Sequence, residues 1–131
     1  MNKLLYSLMF FFVFSAIAFA QQEASMLSVS EMVVCTAVEE RQPVGADTAF
    51  ADTVGQVYCY TALGGGQDTT TIAHVWYHGD EEKARVNLNV RGSSWRTWSS
   101  KRIATEWTGA WRVDVVDAAG NVLASRNFTI R

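Results

Sequence analysis

Cysteine, proline and histidine are scarce in this 131-residue chain: it has two Cys, one Pro and two His. Two cysteines, Cys35 and Cys59, cannot build a four-cysteine zinc ribbon, and only two histidines stand besides them as possible metal ligands. The redox spacing Cys-x-x-Cys is absent. No Gly-x-Ser-x-Gly turn occurs, and Gly64-Gly65-Gly66 lacks the Lys-Ser/Thr that a phosphate-binding loop requires. No second long apolar run follows the first one, and no segment keeps a 3.6-residue period. Acidic residues outnumber basic ones, thirteen to eleven, which argues against a nucleic-acid binder. No cofactor motif is present.

The one long apolar run is residues 4–20. Lys3 precedes it, and Ala18-Phe19-Ala20 gives it a small-x-small end. This pattern predicts a secretory signal peptide over 1–20, cleaved after Ala20, in an exported protein of the periplasm or the medium. Neither cysteine directly follows the cleavage point, so no lipid anchor is expected, and no stable membrane insertion is expected once the leader is removed. Five of the seven Phe leave with the leader and all five Trp remain. Residues 21–30 are a sparse polar lead-in, expected to be flexible, and 31–131 form a single domain.

Within 31–131 short β-rich runs are separated by turn signals. The expected strands are 32–38, 56–63, 70–77, 83–90, 94–103, 110–116 and 122–130. Val86, Leu88 and Val90 alternate with Arg85, Asn87 and Asn89, the pattern of a strand with one wet face. Trp111, Val113 and Val115 alternate with Arg112 and Asp114 in the same way. Gly79-Asp80 and Asp117-Ala118-Ala119-Gly120 read as hairpin turns. Residues 39–55, with Pro43, read as a long connection. The fold class is therefore all-β, an immunoglobulin-like two-sheet β-sandwich of about seven strands, with a small β-barrel as the alternative. In an oxidising compartment Cys35 and Cys59, on neighbouring strands, are expected to form a structural disulfide.

Four strings stand out together: Val57-Tyr58-Cys59-Tyr60-Thr61, His74-Val75-Trp76-Tyr77, Trp95-Arg96-Thr97-Trp98-Ser99-Ser100-Lys101 and Gly109-Ala110-Trp111-Arg112-Val113-Asp114-Val115. With them the chain from about Met32 to Arg131 resembles the bacterial family known as domain of unknown function 2914. The resemblance implies a small bacterial β domain, often appended to other segments, and implies no activity. Arg41-Gln42-Pro43 stands where the family more often reads Arg-Glu-Pro.

The chemistry must come from the residues. His74 and His78 are four apart, which on a strand puts them about 13 Å from each other, too far to share a metal. His74, inside an aromatic strand, reads as a hydrogen-bonded structural residue. Ser99-Ser100-Lys101 has Trp98 three places before the lysine, so it is no Ser-x-x-Lys motif. The strongest local signal is basic and aromatic. Arg91, Arg96, Lys101, Arg102 and Arg112 share one stretch with Trp95, Trp98, Trp107 and Trp111 and a single acid, Glu106. Indole faces stack on sugar rings and guanidinium groups, and Arg pairs with carboxylates. Alternation puts Trp95, Thr97 and Ser99 on one face and Arg96, Trp98, Ser100 and Arg102 on the other. A bulge at Ser99-Ser100 would turn Lys101 outward as well. Trp98, Arg96, Arg102 and Lys101 are thus the candidate binding residues. The expected function is an exported, non-catalytic module that binds a cell-envelope glycan or a protein partner. The alternatives are a purely structural or assembly domain, in which the basic stretch pairs with the acids Glu39, Glu40, Asp47 and Asp52, and a small polysaccharide hydrolase.

Overall fold

The computed structural model describes residues 26–131. The signal-peptide expectation and most of the lead-in therefore lie outside the described residues. The strands are β1 (Ser28–Cys35), β2 (Ala37–Glu39), β3 (Gln42–Val44), β4 (Ala49–Phe50), β5 (Gln56–Gly64), β6 (Thr70–His78), β7 (Glu81–Val90), β8 (Ser94–Arg102), β9 (Gly109–Asp117) and β10 (Val122–Ile130). All seven expected strands are present. β1 begins at Ser28, earlier than expected.

The strands form a sandwich. One sheet has the order β1-β5-β8, the facing sheet β4-β10-β9-β6-β7, and β2-β3 is a separate hairpin. The pairs within both sheets are antiparallel except β4, which runs parallel to β10. The links β5–β6 and β7–β8 cross from one sheet to the other, as the immunoglobulin-like architecture requires. The sheets do not close into a barrel: β1, β8, β4 and β7 remain edges.

The inward faces build one core. Val57, Cys59 and Leu63 of β5 meet Trp76 of β6, Trp111, Val113 and Val115 of β9, and Phe128 and Ile130 of β10. Phe128 is the hub of the aromatic packing. Trp76 meets it edge-on at 6.1 Å, and Trp111 stacks on it at 5.8 Å. Where the chain turns, the turn residues carry the geometry. Gly79 takes φ 58° between β6 and β7, a conformation open to glycine at little cost. Asp117 organises the β9–β10 turn: its Oδ1 accepts from the Ala119 and Asn121 amides at 3.0 and 2.8 Å.

Two expectations are corrected. The stretch 39–55 is not a plain connection. It contributes to the β2-β3 hairpin, whose turn residues Glu40 and Arg41 have φ of 50° and 60°. Neither is glycine, so the turn is strained, and it is held from below by the Tyr60 hydroxyl, which donates to the Arg41 carbonyl at 2.9 Å. Nor are Cys35 and Cys59 bridged: both are free, buried thiols. The register explains this. Cys59 lies opposite Val34, and Cys35 lies opposite Tyr58, one residue out of step. One step along a pleated pair reverses the side-chain direction. Burial pushes the Cys59 thiol up to about 12 and raises that of Cys35 too, so both stay protonated and poorly nucleophilic.

Candidate ligand-binding surface

β8 distributes the candidate residues. It pairs with β5 without a break from Gln56↔Arg102 to Gly64↔Ser94. Alternation therefore runs the whole length of the strand. Trp95, Thr97, Ser99 and Lys101 face the other sheet, and Arg96, Trp98, Ser100 and Arg102 face out. The bulge expected at Ser99-Ser100 is absent, so Lys101 stays on the inward side, opposite Val57.

On the outer face Trp98 is 37% exposed. It lies opposite Tyr60 and stacks on it, with ring centroids 6.3 Å apart and an interplanar angle of 14°. Tyr60 itself is fully buried, and its hydroxyl is tied to the hairpin turn. Trp98 is thereby packed beside a fixed cross-strand neighbour and stays partly exposed. Arg96 and Arg102 are exposed on the same face. Among the described residues neither forms an ion pair. The three pairs present are Lys83–Glu81, Arg85–Glu82 and Arg112–Asp114. Among the described residues no ion pair joins the basic stretch to Glu39, Glu40, Asp47 or Asp52, the pairing that belonged to the structural alternative.

Arg112 belongs to a different surface, the outer face of the five-stranded sheet. It lies over the Tyr77 ring at 4.3 Å, and its Nε donates to Asp114 at 3.1 Å. Asp114, buried despite its outward direction, also accepts from the Ser125 hydroxyl at 2.6 Å.

On the inward side Ser99 joins a polar chain that sequence reading misses. His74 Nδ1 lies 2.6 Å from Ser99 Oγ, and His74 Nε2 lies 2.9 Å from Thr61 Oγ1. The Trp76 indole donates to Ser99 Oγ at 3.2 Å, and Thr61 Oγ1 lies 3.9 Å from Cys59 Sγ. One polarity satisfies every donor. Trp76 donates to Ser99, Ser99 to Nδ1, Nε2–H to Thr61, and Thr61 to the Cys59 sulfur. The chain joins β5 and β8 of one sheet to β6 of the other. Burial lowers the His74 imidazole to about 4, so it is neutral at pH 7. His74 is thus the structural, hydrogen-bonded residue that its strand context suggested. A histidine 2.6 Å from a serine looks like a base and its nucleophile. Here His74 is fully buried and Ser99 nearly so, and Thr61 stands where a triad would have a carboxylate. The only sequence signal for this chain was His74 falling in register with inward Ile72 and Trp76.

The two surfaces of β8 lie in a stretch with a family match. Residues 69–130 match the family model described as Protein of unknown function (DUF2914). The matched stretch runs through β6–β10. It covers the strings at His74, Trp95 and Gly109, and with them Trp98 and Lys101. The Val57–Thr61 string and Arg41-Gln42-Pro43 precede the DUF2914 match. No curated protein matches the chain. Among solved structures, a mutant β-glucosidase from Listeria innocua in complex with laminaribiose is similar at 10% identity and a TM-score of 0.46. The similarity covers 80% of this chain and 16% of that one. An endonuclease/exonuclease/phosphatase from Beutenbergia cavernae is similar at 16% identity and a TM-score of 0.35, covering 81% of this chain and 36% of that one. This chain therefore spans only a small part of either protein.

Proposed function

We propose that this protein is an exported, non-catalytic β-sandwich module that binds a cell-envelope glycan on the outer face of the β1-β5-β8 sheet. The observation that carries the reading is Trp98. This ring is partly exposed, stacks on Tyr60, and shares its face with Arg96, the nearest outward neighbour before it, and Arg102 further along the strand, neither ion-paired among the described residues. A flat indole accepts the apolar face of a sugar ring, and guanidinium groups beside it suit hydroxyls and carboxylates. Export rests on the apolar leader over residues 1–20. The non-catalytic reading is supported by the burial of the Ser99–His74 pair, which a polymer could not reach.

Trp98→Ala should weaken binding to purified envelope polysaccharide by about 1–3 kcal/mol, by analogy with aromatic stacking on bases. It should cost about 2–3 kcal/mol of stability, from the stacking on Tyr60 and the buried part of the ring, less than emptying a core site. Pull-down and urea midpoints on the same preparations measure both. Unchanged retention by the polysaccharide, or retention only by envelope proteins, would remove the glycan reading.

A further inference from the structure

Where β7 and β8 approach each other at the open side of the sandwich, two ammonium groups converge on one indole. Lys83 Nζ of β7 lies 4.8 Å from the Trp107 ring centroid, and Lys101 Nζ of β8 lies 5.2 Å from it. Trp107 sits in the β8–β9 connection and is fixed from below. Its carbonyl accepts from the Trp111 indole at 2.9 Å, and its ring packs on the core. The Lys83 side chain is only 19% exposed.

The charges here do not balance. Lys83 meets Glu81 at 3.3 Å, but that carboxylate is largely exposed. Lys101 has no carboxylate within ion-pair distance among the described residues, and its ammonium donates to the Arg102 carbonyl at 3.2 Å. The neighbouring acid, Glu106, accepts from the Thr105 hydroxyl at 3.3 Å and pairs with neither lysine. Burial lowers the Lys101 amine, and the charge of Lys83 lowers it further, so Lys101 sits in a field of its own sign. Like charges held half-buried together are stabilised by an anion brought from outside.

We propose that Lys83, Lys101 and Trp107 form an oxyanion-binding site for the carboxylate of an acidic sugar or for a phosphate group. Trp107 holds the two amines together through its ring face, and the amines supply the charge that meets the anion. The site lies on the inward side of β8 and does not depend on Trp98.

The test follows the Trp107 indole N–H resonance of the mature protein at pH 7 and low salt. Three probes are titrated: inorganic phosphate, a galacturonate trimer and a neutral galactose trimer. A saturable shift with phosphate alone assigns a phosphate group, with the galacturonate trimer alone a carboxylated glycan, and with both a general oxyanion site. In each case the shift should weaken at 1 M salt, about where screening acts within 3 Å. Lys101→Met, which keeps the packing stem, should raise the dissociation constant tenfold or more, and Lys101→Arg should restore it. Lys83→Met tests the same site from the other sheet should Lys101→Met fail to fold. No shift with either anion, an equal shift with the neutral trimer, or unaltered binding in a folded lysine-to-methionine variant overturns the proposal.

Discussion

Acidification from pH 7 to pH 4 should remove about 3 kcal/mol of stability through His74 alone. The neutral imidazole is held at about 4 in the fold by burial, against about 6.5 in the unfolded chain. Between these values the unfolded state binds a proton that the native state refuses, so stability rises with pH. The contribution is complete above about pH 6.5 and is lost progressively as pH falls toward 4. The structural cause is the direction of the hydrogen-bond chain. A protonated Nδ1 would have to donate to Ser99 Oγ, which already accepts from Trp76, and the Ser99 proton would lose its acceptor. His74→Gln removes the titration. Urea unfolding of both proteins at pH 7 and pH 4 checks this. The wild type should lose about 3 kcal/mol more than the variant. Equal losses would mean that His74 is not held neutral.

Replacing Trp76 should be the most damaging aromatic substitution. Trp76 is fully buried and meets Phe128 edge-on. It also supplies the first donor of the buried chain. Trp76→Ala should cost about 3–5 kcal/mol, the range for emptying a large core site. Trp76→Phe should cost less, about 1–3 kcal/mol, because it fills most of the space but removes the indole donor. Denaturant midpoints on the two variants measure the difference. A Trp76→Ala protein within 1 kcal/mol of wild type would contradict the packing described here.

The strand framework was legible because its residues obey a period of two. β7 and β9 show it plainly, and the outward direction of Trp98 followed from the same alternation in β8. The errors came where one more fact was needed. Lys101 was expected to turn outward because an amine seemed out of place on an inward face. The Trp107 ring, six residues on, gives the amine a place there. The cysteines were expected to bridge because they lie on neighbouring strands. Register, which no single sequence displays, sets them one residue out of step. The β2-β3 hairpin was invisible because its turn residues, Glu40 and Arg41, are not those that favour positive φ. The His74 chain draws on β5, β6 and β8, and only the packing of the two sheets brings these together.

The most direct test of the Trp98 surface is a set of indole N–H spectra recorded during titration with purified envelope polysaccharide. The five tryptophans divide by position: Trp76 and Trp111 are buried, Trp95 and Trp107 half-buried, and Trp98 is the exposed one. The Trp98 indole resonance should move saturably, together with the Arg96 and Arg102 side-chain signals, while Trp76 and Trp111 stay fixed. Polysaccharide that leaves Trp98 unmoved at saturation would contradict the assignment of this face as the binding surface.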